Sequence, residues 1–308
     1  MWTVTCVIVG YDSGDDVTRS VARLTQPSSS LASLVVVDNG PASSASSSSC
    51  VALASERVLV WPYRAGRGFG AACSDGVNAS PYSDAIIFIN PDTIVTPSIL
   101  DTLGNALRSH PTFGIVGAKL VDSSGAPQPS GGSFPTISGL VNSKTLMIGG
   151  LFARATTSPG KPVSPVVPVD WVSGAVMMIR REAWDAVGGF DPAFFLYFED
   201  IDLCLRVRAA GWEVGIVSEA TAVHASGGSQ WRPGTRTRAE RNYFESQGYY
   251  FRKHHGRVIE GLLRALRFAY RATGLRQRFV SRFGVTVGSD LFDGARTRHL
   301  RRQSTCAL

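Results

Sequence analysis

The sequence predicts an α/β fold: a doubly wound, mostly parallel central sheet with flanking helices, followed by a basic helical C-terminal tail. Three observations carry that expectation. Short, continuously apolar runs recur at Thr5-Cys6-Val7-Ile8-Val9, Leu34-Val35-Val36-Val37, Arg57-Val58-Leu59-Val60-Trp61 and Asp84-Ala85-Ile86-Ile87-Phe88-Ile89, the pattern of strands buried on both faces. Helical stretches separate them, which gives a β-α alternation. Polar residues gather just after the runs (Tyr11, Asp12, Asp38 and Asp92), where ligands sit in such sheets, beyond the carboxyl ends of the strands.

Taken in order, the first run is followed by Gly10-Tyr11-Asp12-Ser13-Gly14-Asp15-Asp16 and a helix ending near Leu24, with Asp15 or Asp16 as its cap. The second run ends in Asp38-Asn39-Gly40, and a serine-rich loop, Ser43 to Ser49, reads as solvated. Helices are expected from Ala71 to Ala79 and, with Pro97 at its first position, from Pro97 to Ser109. Asp122 to Pro168 is a long Gly-, Pro- and Ser-rich segment, either an insertion or a substrate-side lid, with the lid favoured. Val169 to Arg180 reads as a strand, Arg181 to Val187 as a short helix and Gly188 to Pro192 as a turn. A helix from Glu199 to Ala210 is stopped by Gly211 in the C′ role. Glu213 to Val217 is the last core strand, and His224 follows it.

With 308 residues, 44% of them hydrophobic, the chain can bury a sizeable core. No apolar run approaches the roughly 20 residues of a membrane-spanning helix, and the N-terminus lacks the basic start of a signal peptide. Five dispersed cysteines form neither a disulfide framework nor a zinc motif, which points to the reducing cytosol. The net charge of +7 is uneven: from Arg252 onward there are thirteen Arg and Lys against Glu260, Asp290 and Asp293, on a mildly acidic body. A basic tail on an acidic body suggests an anionic partner for the tail.

The chemistry concentrates in Glu199-Asp200-Ile201-Asp202, three carboxylates after the aromatic run Phe194-Phe195-Leu196-Tyr197-Phe198. Carboxylates beside an apolar wall have raised pKa values and suit a general base; the same acids also suit a helix N-terminus, with Arg206 four residues beyond Asp202. Gly66-Arg67-Gly68-Phe69-Gly70-Ala71 fits the dinucleotide fingerprint, but it follows the third run rather than the first, so a glycine-rich turn lining a nucleotide cleft is preferred. Asp38 reads equally as a base- or ribose-contacting acid and as the first residue of an Asn-Gly turn. Asp92, with Asn90 nearby, reads as a ligand for a hard cation or as a helix-capping turn, and His224 alone reads as structural.

Five ordered segments, VIVGYDS, VVVDNG, GRGFGAACSDGV, FINPDT and SGAVMMIRREAWDAVGGFDPAFFLYFEDIDLCLR followed by VHASGGS, resemble the family 2 inverting glycosyltransferases, and among them the rhamnosyltransferase-like bacterial branch. The resemblance runs from about Val4 to Ser229. It implies a GT-A fold, which is Rossmann-like, a nucleotide-sugar donor and a divalent cation, Mg²⁺ or Mn²⁺. It also implies inverting transfer of a sugar, for instance L-rhamnose from dTDP-rhamnose, to a glycan or lipid-linked acceptor in cell-envelope biosynthesis. The same fold without turnover would be a sugar-nucleotide or anionic-surface binding protein. This chain departs from the family pattern in reading Gly10-Tyr11-Asp12 where many members read Asn-Tyr-Asn, and in having one Asp rather than two in the metal motif.

By position, Asp200 resembles the family's catalytic base, with Glu199 and Asp202 in support. Tyr11, Asp12, Asp38, Gly68, Phe69, Asn90 and Asp92 resemble its donor site. Trp171, Ser173 and Gly174 resemble the turn that meets donor and acceptor, and Asp92 and His224 the metal ligands. The organisation expected is a catalytic domain over 1–235, divided into a nucleotide-sugar half (1–121), the insertion or lid (122–168) and an acceptor half (169–235), then a tail over 236–308. Within the tail, His255 to Phe283 has the composition of a basic amphipathic helix, equally suited to an anionic membrane surface at the inner face of the cell membrane and to packing on the body. Nucleic acid is not expected, because no recognition motif accompanies the charge.

Overall fold

The structure, a computed structural model, describes residues 2–25, 31–40, 50, 52–56, 58–62, 66–136, 165–225 and 236–272. The serine-rich 43–49, most of the proposed lid (137–164), Ser226 to Ser229 and the tail from 273 lie outside the described residues. The chain divides into two compact units, Met1–Glu260 and Gly261–Leu308.

Four parallel strands form one half of the main sheet in the order β3 (Val58–Pro62), β2 (Leu31–Asp38), β1 (Val4–Gly10), β4 (Ala85–Ile89). Every residue of β1 and β4 is buried, which is why their sequences are apolar without alternation. The helices between them are α1 (Gly14–Leu24), α2 (Phe69–Ala79) and α3 (Pro97–Ser109). Residues pointing to one sheet face, among them Ile8, Val36 and Ile87, join Val17 and Leu24 of α1 and Leu100 and Leu103 of α3 in one core. On the other face α2 comes close to the sheet through Gly76, where a Cβ would lie 2.7 Å from Val7 Cγ1.

The second half departs from an all-parallel sheet. β11 (Val176–Arg180) runs antiparallel between β4 and β6 (Phe113–Val121), and β12 (Glu213–His224) is parallel to β6. β6 sits at the centre of the sheet although its sequence, FGIVGAKLV, dilutes the apolar run with two glycines and a lysine. Both glycines are packing sites: a Cβ at Gly114 would meet Trp212 at 2.8 Å, and one at Gly117 would meet Val172 at 2.9 Å. The edge strand β5 (Thr93–Ile94) pairs antiparallel with the end of β12.

Several local expectations are corrected. The stretch from Val169 to Arg180 is not one strand but β9 (Val166–Val169), β10 (Trp171–Val172) and β11, broken at Ser173-Gly174. The irregular segment contains β7 (Pro127–Gln128), on β6, and β8 (Gly131–Gly132), on β10. The last core strand continues through a register shift between Val217 and Thr221 to His224. At α1 it is Ser13 that holds the N-cap position, with Asp15 and Asp16 inside the first turn, where they oppose the helix dipole. The C-terminal elements are α4 (Arg181–Val187), α5 (Glu199–Ala209), α6 (Arg236–His255) and α7 (Arg257–Ala272). The first compact unit ends at Glu260 and so includes α6, whose basic composition concealed a buried face that includes Tyr243, Ser246, Tyr250 and Phe251.

Candidate active site

The site is assembled at the carboxyl ends of β1, β2 and β4. Gly10 ends β1 beside Asp38 at the end of β2. A Cβ at Gly10 would come 2.9 Å from Val17 Cγ2, so a larger residue there would push α1 away. Tyr11 is 41% exposed, and Asp12 takes a left-handed φ of 51°, which a short polar side chain tolerates. Asp38 is buried, and its Oδ1 accepts the Gly40 N–H at 3.3 Å. That is the Asx-turn arrangement, so the turn reading accounts for this oxygen. Asn39 links two loops: its side-chain amide donates to the Arg67 carbonyl (2.7 Å) and accepts the Arg67 N–H (3.1 Å). This clamp ties the end of β2 to the glycine-rich turn.

The glycines of that turn serve packing. A Cβ on Gly68 would lie 2.5 Å from the carbonyl oxygens of both Phe194 and Phe195, and one on Gly70 would lie 2.9 Å from Phe190 Cβ. The Phe69 N–H donates to the Phe195 carbonyl (2.8 Å). The turn is therefore the seat on which the aromatic run 190–198 docks, which explains a fingerprint-like spacing without a dinucleotide. Phe69 itself reaches Gly174, whose Cβ position is 3.5 Å from Phe69 Cε1.

Ser173 and Gly174 occupy the break between β10 and β11. The Gly174 N–H donates to Asp200 Oδ2 (3.1 Å), while the Ala175 carbonyl accepts the Asn90 N–H (3.0 Å). Two residues beyond Asn90 is Asp92. Trp171 is buried, and its indole N–H donates to the Ser133 carbonyl (3.0 Å).

Asp92 and His224 are brought together by sheet pairing, with His224 opposite Thr93. His224 Nε2 lies 3.4 Å from Asp92 Oδ1. Gln128, which sequence reasoning missed, donates its amide N–H to the His224 carbonyl (3.0 Å), so its Oε1 faces His224 Nδ1 at 3.0 Å. An amide turned the other way would set two acceptors against each other; Nδ1 therefore carries a hydrogen, which leaves Nε2 as the ring atom that faces Asp92. Two ligands about 2.1 Å from one hard cation can span such a gap. Among the described residues no group of three or more His, Cys, Asp or Glu is placed to hold a metal.

Asp200 opens α5 after two consecutive aromatic residues in left-handed conformation, Tyr197 (φ 70°) and Phe198 (φ 67°). Such residues cost on the order of 1–3 kcal/mol each and persist only where surroundings over-determine them. Asp200 keeps part of its surface exposed, and its oxygens accept the Gly174 and Ile201 (2.9 Å) N–H groups. Burial raises its pKa against the opposing pull of those backbone bonds. Glu199 is 5% exposed, its Oε2 has no hydrogen-bond partner, and burial followed by the charge of Asp200 pushes it up to about 8. Both carboxyls are raised by burial and Glu199 further by the charge of Asp200, so the two titrate as a pair above the ordinary carboxylate range.

Asp202 has a different role from its neighbours. It is fully buried and accepts from Arg206 Nε (2.8 Å), Lys253 Nζ (2.7 Å) and His254 Nε2 (2.7 Å). Burial alone would raise its pKa, but the bonds from His254 and Lys253 and the charge of Arg206 hold it below the usual range. It is a permanent anion that binds helices together.

Comparison with known proteins bears on family and fold. Residues 3–245 match the family model described as Glycosyltransferase like family 2. The N-acetylglucosaminyl-diphospho-decaprenol L-rhamnosyltransferase of Mycobacterium tuberculosis (strain ATCC 25618 / H37Rv) is 29% identical over 241 residues, which is 71% of this chain and 74% of that protein. Rhamnosyltransferase WbbL of Escherichia coli (strain K12) is 32% identical over 142 residues, 46% of this chain and 52% of its own. Among solved structures, GalNAc-T7 with UDP, GalNAc and Mn²⁺ superposes with a TM-score of 0.57 at 16% identity, over 91% of this chain and 58% of its own. The mannosyltransferase PcManGT from Pyrobaculum calidifontis, in complex with GDP-Man and Mn²⁺, gives 0.52 at 16% identity, over 87% of this chain and 69% of its own. The fold is GT-A, and the chain belongs to glycosyltransferase family 2.

Proposed function

We propose that this glycosyltransferase moves a sugar, L-rhamnose from dTDP-rhamnose, onto the hydroxyl of a lipid-linked glycan acceptor with inversion at the anomeric carbon. The observation that carries the reading is the backbone circuit from Asp200 through Gly174, Ala175 and Asn90 to Asp92 and His224. It holds a base-like carboxylate and a cation-binding pair on opposite flanks of one turn. Rhamnose is favoured because two relatives bear that activity in their names.

A divalent cation on Asp92 and His224 would neutralise the charge gathering on the departing diphosphate. Tyr11, Asp12 and Asp38 line the strand ends that receive the nucleoside. Asp200, still partly accessible, accepts in its deprotonated form the proton of the acceptor hydroxyl as it attacks. Glu199, buried beside it, supports the base by raising the pair's affinity for a proton. With one base and no protein nucleophile, the displacement is single and the configuration inverts, the logic of inverting glycosidases. The test is a panel of nucleotide-sugars with Mn²⁺ or Mg²⁺, scored for nucleoside diphosphate release and for sugar transfer. Binding without turnover across the panel would instead mark a non-catalytic sugar-nucleotide protein.

A separate proposal concerns α7. No helix among the described residues is long and apolar enough to cross a membrane. Yet Val258 (83% exposed), Leu262 (47%) and Phe268 (75%) are unburied, with Arg257 and Arg264 on the same helix. This composition favours an anionic bilayer surface, at roughly 1 kcal/mol per basic residue. The protein is expected to sediment with phosphatidylglycerol vesicles but not phosphatidylcholine vesicles, with release at about 0.5 M salt through screening. Leu262→Asp with Phe268→Asp should abolish sedimentation and spare donor turnover; equal sedimentation of the variant would remove α7 from this role.

A further inference from the structure

Most of α6's polar anchors lie beyond the family match, which ends at residue 245. They cluster on the elements that present Asp200. Ser246 Oγ donates to the Leu196 carbonyl (2.8 Å), and Phe198 lies between Tyr243 and Tyr250, at ring separations of 5.3 and 5.5 Å. Tyr197 packs on Tyr243 at 5.7 Å. One turn further along, Lys253 Nζ is 2.7 Å from both Asp191 Oδ2 and Asp202 Oδ1, and Tyr249 OH donates to the same Asp191 oxygen (2.9 Å). His254 Nε2 adds its contact to Asp202 Oδ1.

We infer that α6 is a positioning element for transfer, in which Lys253 and His254 fix the start of α5 and thereby the orientation of Asp200. The inference rests on the reading of Asp200 as the base. Asp191 and Asp202 bracket the aromatic run and its strained turn, and Lys253 joins the two carboxylates. Phe198 and Asp202, each two residues from Asp200, are both held by α6, while Gly174 holds the Asp200 carboxylate from the other side. A buried ionic cluster is an inefficient source of stability compared with apolar packing; here its directional bonds define where the helix begins. Neither Lys253 nor His254 is assigned contact with substrate, so their influence on the reaction passes through α5.

The test compares kcat with donor KM in the full chain. Lys253→Met and His254→Leu are each expected to lower kcat about tenfold, and together about 10²-fold, the scale of an ångström-size misplacement. Donor KM should stay within about twofold, because the donor-side residues are carried by the strand ends. His254→Gln, which keeps a donor near the same place, should recover most of the kcat that His254→Leu loses. Unchanged kcat in both single variants would overturn the inference, as would a rise in donor KM matching the loss in kcat. If the double variant does not fold, the His254 pair decides: equal kcat for His254→Leu and His254→Gln contradicts a role for the hydrogen bond. A wild-type protein without transferase activity would sink the base assignment as well, whereas an inactive Asp200→Asn beside fully active α6 variants sinks only the positioning role of α6.

Discussion

Asp200→Asn is expected to reduce transfer by about 10²–10⁴-fold, the usual contribution of a general base, with donor affinity kept within a few-fold. The substitution removes the proton acceptor and leaves the diphosphate side untouched. It also has a small structural cost, because an amide accepts only one of the two N–H groups, from Gly174 and Ile201, that Asp200 now satisfies. One such bond is worth about 1 kcal/mol, so thermal unfolding separates this loss from the catalytic one. Glu199 is buried, 5% exposed, and so is not placed to meet the acceptor in its stead. The sign of the pH dependence follows. Asp200 works when deprotonated and burial raises its pKa, so the acid limb of kcat/KM should lie above the ordinary carboxylate range, with activity rising as pH increases through it. Retention of more than about a tenth of wild-type turnover in Asp200→Asn would remove it from the base role.

Removing the metal is expected to abolish transfer, with Mn²⁺ or Mg²⁺ restoring it after EDTA. His224→Ala should raise the metal concentration required, and Gln128→Leu should weaken Mn²⁺ affinity by about 10–100-fold, the usual effect of losing a partner that orients a ligand. Electron paramagnetic resonance of Mn²⁺ in the presence of dTDP reads that affinity without relying on turnover. Gln128 is informative because its bonds to the His224 carbonyl and to Nδ1 fix the place and the orientation of the ring. Full activity in rigorously metal-free buffer would contradict the cation assignment.

Residues close to one another in sequence were the readable ones. Asp200 stands out because three carboxylates follow an aromatic run, and the convergence of Asp92 and His224 follows from both lying at strand ends. The Asp92–His224 distance depends on a two-residue edge strand, β5, that no periodicity reveals. Gln128 lies 96 residues from His224 in a Gly-, Pro- and Ser-rich segment, where nothing local distinguishes a ligand-orienting amide from a solvated one. Lys253 and His254 were hidden by composition: in a basic tail they read as surface charge, whereas the fold sets them against the buried Asp202. The glycines at 68 and 70 resembled a phosphate turn because close backbone approach needs the same residue whether the neighbour is a pyrophosphate or the Phe194–Phe195 main chain.

The anomeric configuration of the product tests the central claim most directly. With the nucleotide-sugar that supports turnover, the coupling between the anomeric proton and its neighbour, or the one-bond carbon–proton coupling where the sugar is manno-configured, is read by NMR in donor and product. Asp200 acting as sole base at a single displacement predicts the opposite configuration in the product. Retention would require a second displacement or a front-face route, and would contradict Asp200 as the sole base of a single displacement.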